Sequence, residues 1–130
     1  MADDLNRKLA EWAGFELHKG PYYETRIASD GQDRWLEETR HTQYWRIGNE
    51  AHLELPNFTS SLDACFKWLV PKLNPIENLM LFRFIPTISG KWYCRIERIG
   101  GEVLGETHDF VEEPALALCK AIEQLIDKEA

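Results

Sequence analysis

Two amphipathic segments, one at mid-chain and one near the C-terminus, bracket a run of strand-like alternation, and this order restricts the chain to a mixed α and β fold. In the first, Thr59-Ser-Ser-Leu-Asp-Ala-Cys-Phe-Lys-Trp-Leu-Val-Pro-Lys-Leu73, residues Leu62, Cys65, Phe66, Leu69, Val70 and Leu73 recur at helical spacing on one face. Ser60, three residues before Asp63, is the expected N-cap. Pro71 lacks a backbone donor, so the helix should kink or finish near it. The second segment runs from Pro114 to Asp127, with Ala115, Leu118, Cys119, Ile122, Leu125 and Ile126 as its stripe. Pro114 suits a first helical position, and Glu112 and Glu113 favour the positive end of the helix dipole.

Between the two segments, residues 78–86 alternate like a strand, Ser89-Gly90 marks a turn, and residues 91–99 alternate again. Gly100-Gly101 is a two-residue hairpin signal leading into a third strand over 102–107, which completes an antiparallel meander. Upstream, residues 3–14 read as a short helix with Leu5, Leu9 and Trp12 on one face and Gly14 as its stop. Residues 18–55 are rich in Tyr, Trp, Arg, Glu and His. Asp30-Gly31 is a turn signal there, with short strands expected near 22–27 and 44–47 and a long loop between them. The expectation is one α+β domain over 1–130: an α/β sandwich with an antiparallel sheet of three to five strands. Two helices pack on one face, a short N-terminal helix is added, and the meander is lengthened by strands from 15–47.

A length of 130 residues suits a single core, and no apolar run approaches the roughly 20 residues that span a bilayer. The acidic start Met1-Ala-Asp-Asp-Leu5 is unlike a secretory signal, so the expected location is the cytoplasm of the host cell. A net charge of −7 disfavours nucleic acid and anionic membranes as partners, since both are polyanions. The three cysteines, Cys65, Cys94 and Cys119, are odd in number and widely spaced, which argues against a disulfide framework and a zinc site. On a helix stripe, a free cysteine behaves as a small hydrophobe.

Three stretches carry a family resemblance: Leu9-Ala-Glu-Trp-Ala-Gly-Phe15; the run from Leu55 through Asn57, Phe58 and Trp68 to Pro71; and Glu113-Pro-Ala-Leu-Ala-Leu-Cys-Lys-Ala-Ile-Glu123. Together they resemble the phage ABA sandwich domain family, small phage and prophage proteins with an α/β sandwich fold and no generally established activity. The resemblance covers about half the chain, is carried by core and capping residues, and transfers no catalytic residue. It implies a phage or prophage origin and, with the acidic charge, a protein that blocks a host factor.

Candidate chemistry is sparse. Glu106-Thr-His108-Asp109 places a histidine beside carboxylates, but a small hydrolase using His108 would also need a nucleophile, for which Cys94 is the candidate thiol in the sheet. His41 and His52, with Glu50 and Glu54, lack metal-ligand spacing. No phosphate-binding glycine loop or Gly-x-Ser-x-Gly elbow is present. Arg83, Tyr93 and Arg95 are expected on one sheet face.

The aromatic and arginine residues carry the sharper expectation. Trp35, Arg40, Tyr44, Trp45 and Arg46, together with Trp68 at the flank of the first amphipathic helix, form the expected contact set. The expected function is non-catalytic, with no cofactor and no metal: binding of a host protein or, as the alternative, of a nucleotide-like anionic small molecule held by Arg34, Arg40 and Arg46. A homo-oligomer is compatible with the sequence.

Overall fold

A computed structural model describes residues 2–107 and 109–129, and the chain divides into two compact units, 1–13 with 56–130 and 14–55. The fold is α+β, with two three-stranded antiparallel sheets. Among the described residues, no helix is long and apolar enough to cross a membrane.

The larger unit holds helix α1 (Ala2–Ala13), helix α2 (residues 62–73), strands β4 (Met80–Pro86), β5 (Trp92–Arg98) and β6 (Val103–Glu106), and helix α3 (Pro114–Glu129). Its sheet is the expected meander, in the order β4-β5-β6. Helix α3 lies against β5 and β6, and α1 and α2 pack on each other and on α3. Leu118, Cys119, Ile122 and Leu125 from α3 meet Cys94 and Ile96 from β5 in a core that also contains Leu9, Phe58, Cys65 and Leu69. Ala117 and Ala121 are fully buried too, so the buried face of α3 is wider than the large side chains alone suggest. Small residues there let the helix approach the sheet backbone: a Cβ on Gly105 of β6 would sit 2.3 Å from the Ala121 carbonyl oxygen. Asn6 ties α1 to the segment before α2, donating to the Pro56 carbonyl at 2.7 Å and accepting from the Phe58 amide at 2.6 Å.

Helix α2 departs from the expected stripe. It consists of α-helical Leu62–Ala64, π-helical Cys65–Leu69 and α-helical Val70–Leu73. Pro71 cannot donate to the carbonyl four residues back and its ring crowds that turn, and the wider π turn relieves the crowding. The wider turn also advances the register within the helix. Cys65, Leu69, Val70 and Leu73 stay buried, but Phe66 is 47% exposed. The expectation that Phe66 belongs to the core is therefore wrong. The cap is corrected as well: the Ser61 hydroxyl, not that of Ser60, accepts from the Ala64 amide at 3.2 Å. The helix ends at Asn74 in the left-handed region (φ 54°), three residues after Pro71.

The smaller unit is a β-ribbon. Strand β1 (Glu16–Ser29) pairs along its length with β2 (Arg34–Ile47), and β3 (Glu50–His52) adds to the other edge of β2 at 45–47. These strands pair with one another and do not lengthen the meander. Strands and loop are redistributed relative to expectation, with two 14-residue strands joined by a short turn. The carboxylate of Asp30 closes that turn, accepting from the Gln32 and Asp33 amides at 2.9 and 2.8 Å, and these bonds hold its pKa below the ordinary value. Gly20 and Pro21 interrupt the register between Lys19 and Tyr22; a proline fits here because β1 is an edge strand.

Candidate binding surface

Alternation along β2 divides the expected contact set between two faces. Over the regularly paired stretch, Trp35 shares one face with Glu37 and His41, and Arg34, Leu36 and Arg40 share the other; Tyr44, Trp45 and Arg46 lie beyond the register interruption. Trp68 belongs to α2 of the larger unit, where the Lys67 ammonium lies 4.8 Å from its ring centroid. The set is therefore two faces of one strand plus a residue of the other unit, not one cluster.

The base of the ribbon is an aromatic stack. His18 and Tyr44, opposite each other in the register, stack at 5.4 Å, and the interruption at Gly20-Pro21 brings the Tyr22 ring to 5.1 Å from Tyr44 and 6.4 Å from His41. Phe15 meets the His52 ring edge-on at 5.7 Å. A cleft of about 620 Å³ opens here, lined by Tyr22, Glu24, His41, His52 and Glu54 among others. His41 Nε2 lies 3.7 Å from the Glu24 carboxylate. Among the described residues, no group of three or more His, Cys, Asp or Glu is placed to hold a metal ion.

The distal half of the ribbon is different. Tyr23, Ile27, Trp35 and Leu36 are 54%, 71%, 42% and 71% exposed, and Ile27 and Leu36 face each other across the strands. Trp35 is oriented by its indole N–H, which donates to Glu37 at 3.1 Å. The Arg26 guanidinium lies 3.5 Å from the same carboxyl group. Of these apolar residues only Trp35 was expected. Tyr23, Ile27 and Leu36 left one usable signal, their period of two on either side of Asp30-Gly31.

Arg83, Tyr93 and Arg95 do share a face of the meander, where carboxylates already engage them. Glu97 lies 3.1 Å from Arg83 and 3.6 Å from Arg95, and Glu106 lies 3.6 Å from Arg95 and accepts from the Tyr93 hydroxyl. Burial, and then this bond, raise the Tyr93 pKa. Two cations and two carboxylates make the patch neutral, which weakens it as a phosphate surface.

The thiols are sequestered. Cys65, Cys94 and Cys119 are free and fully buried, with the Cys65 and Cys119 sulfurs 3.6 Å apart. Burial pushes the Cys94 thiol up to about 12, so at neutral pH it is no thiolate nucleophile. His108, the other half of the hydrolase expectation, lies outside the described residues.

Comparison of the chain with protein-family models, curated proteins and solved structures finds no match.

Proposed function

We propose that the protein acts by binding another protein through the distal half of the β1–β2 ribbon, without catalysis. The observation that carries this is the exposure of Tyr23, Ile27, Trp35 and Leu36 on a two-stranded ribbon. An isolated pair of strands is marginal in water, and large apolar side chains left exposed on it gain little from burial within the ribbon. On one face Tyr23, Ile27 and Leu36 are set among Arg34 and Arg40, the composition of an interface centre with a polar rim, while Trp35 lies on the opposite face with Arg26 and Glu37. The resemblance to the phage ABA sandwich domain family supports a host protein as the partner.

The nucleotide-like alternative has less support. Arg34, Arg40 and Arg46 are six residues apart in sequence, about 20 Å between neighbours at a strand rise of ~3.3 Å, so they do not converge on one phosphate. The cleft at the ribbon base presents Glu24 and Glu54, which repel an anion.

The test is affinity capture from host lysate with the wild-type chain, the double variant Trp35→Ala/Leu36→Ser, and Phe66→Ser as a control on the other unit. A partner held by wild type and the control but lost by the ribbon variant supports the proposal. Equal capture by all three, or no capture, would overturn it.

A further inference from the structure

Among the described residues, β1 ends the sheet order and pairs with β2 alone, so no strand occupies its outer edge. Open edges pair with other strands unless something blocks them. Residues Tyr22-Tyr-Glu-Thr-Arg-Ile-Ala28 follow Pro21, whose missing N–H and register interruption limit pairing on that side. Five of the seven, Tyr23 to Ile27, are exposed.

We infer that this edge is a self-complementary dimerisation strand, with β1 pairing antiparallel to β1 of a second copy about a two-fold axis at Thr25. In that register Thr25 lies opposite the partner's Thr25, Glu24 opposite the partner's Arg26, Tyr23 opposite the partner's Ile27, and Tyr22 opposite the partner's Ala28. Symmetry repeats each pairing. Opposite charges, Thr–Thr and aromatic with β-branched are the cross-strand pairings that stabilise an antiparallel sheet.

The faces agree as well. On one face, Ile27 and Leu36 already touch positions across the ribbon, so the partner's Tyr23 extends an apolar row. On the other, Arg26 lies 3.5 Å from Glu37, and the partner's Glu24 completes a carboxylate–guanidinium–carboxylate row. The neighbouring two-fold positions fail: an axis at Glu24 or Arg26 opposes that residue to its own copy, placing like charges directly across. The free edge of β2 is a poorer choice, since an axis at Thr39 sets Leu36 against Thr42 and Trp35 against Gln43, and β3 already occupies 45–47.

The product is a four-stranded sheet, β2-β1-β1-β2, which removes the weakness of a two-stranded ribbon. It presents Tyr23, Ile27 and Leu36 of both copies on one face. It does not rest on the existence of a host partner, because purified protein alone should show it.

The test uses the full chain. Sedimentation equilibrium should show a reversible monomer–dimer equilibrium with a dissociation constant on the order of 10 µM, in keeping with a small interface. Glu24→Arg should raise that constant about tenfold, with the circular dichroism spectrum unchanged. Thr25→Cys should form a disulfide-linked dimer on mild oxidation with diamide, since directly opposed strand residues have Cα separations within disulfide range. Thr39→Cys on β2 should not. The native cysteines are buried and leave the readout clean. A chain that stays monomeric to roughly 1 mM, crosslinking at residue 39 in place of 25, or an unchanged constant in Glu24→Arg would each overturn the inference.

Discussion

Replacing Gly105 with alanine should lower stability by about 3 kcal/mol, the upper end for an overpacked core. The added Cβ would lie 2.3 Å from the Ala121 carbonyl oxygen and 3.3 Å from Leu125 Cβ, where ordinary contact begins near 3.4 Å. Helix α3 must therefore retreat from β6 by about 1 Å. The obstructing atom is backbone, so no rotamer change removes it, and Ala121→Gly should give no rescue. Because α3 carries Leu118, Ile122 and Leu125, its retreat loosens their packing against Cys94 and Ile96. Gly105 has no left-handed φ, so the cost is one of space and not of conformation. At about 4 °C per kcal/mol for a chain of this size, the Tm should fall by roughly 12 °C. Urea unfolding followed by circular dichroism supplies the free energy. A loss below about 0.5 kcal/mol would refute the close approach of α3 to β6.

Three further outcomes follow from the same structure. Thr107→Val should cost about 1–3 kcal/mol in a denaturant titration, because its buried hydroxyl donates to the Ala117 carbonyl at 2.7 Å and accepts from the Cys94 amide at 3.3 Å. A loss within about 0.5 kcal/mol would count against these bonds. The Gln32 and Asp33 amide shifts should titrate with the depressed pKa of Asp30. Since the native value lies below the unfolded one, the turn's stabilisation is complete above the unfolded pKa and disappears as pH falls through the native one. A midpoint at the ordinary carboxylate value would exclude the Asp30 bonds. All three cysteines should react with a water-soluble disulfide reagent only as fast as the larger unit opens, and rapid labelling of any one would contradict their burial.

The legible parts of the fold were those whose side chains divide into a wet and a dry face. The meander and α3 each have one buried face, so periodicity reported them directly, whereas the β5–β6 connection carries three residues, Ile99-Gly100-Gly101, between Arg98 and Glu102 and not the expected two. The ribbon was hard to read for the opposite reason. Along 23–27 and 34–40 both faces meet solvent at most positions, so Glu, Arg and Thr occupy alternate sites where a half-buried strand would show Val or Ile. Strand length was therefore underestimated: the turn at Asp30-Gly31 stands where expected, but the long loop expected around it is strand on both sides. Phe66 failed differently. Its spacing is sound for a regular helix, and only the π turn ahead of Pro71 carries it out of register.

The aromatic and arginine content of 35–46 pointed to the strand that carries the proposed binding surface, while the division between faces depends on register. That division has a physical consequence. A strand that buries one face commits the apolar residues of that face inward and has only its other face to offer a partner. The ribbon has no such commitment over its distal half, which frees Trp35 for one side and Ile27 and Leu36 for the other. Both faces and the open β1 edge thus remain available to partners, at the cost of a ribbon held together by strand pairing and cross-strand pairs such as Arg26–Glu37. Stability and recognition are thereby assigned to different residues. On the proposed reading, core substitutions such as Gly105→Ala should destabilise the larger unit without altering partner binding by the ribbon, and Trp35→Ala/Leu36→Ser should abolish that binding at nearly unchanged Tm. Finding the two effects inseparable, with ribbon substitutions lowering the Tm as far as Gly105→Ala does, would show that the exposed apolar residues serve the fold.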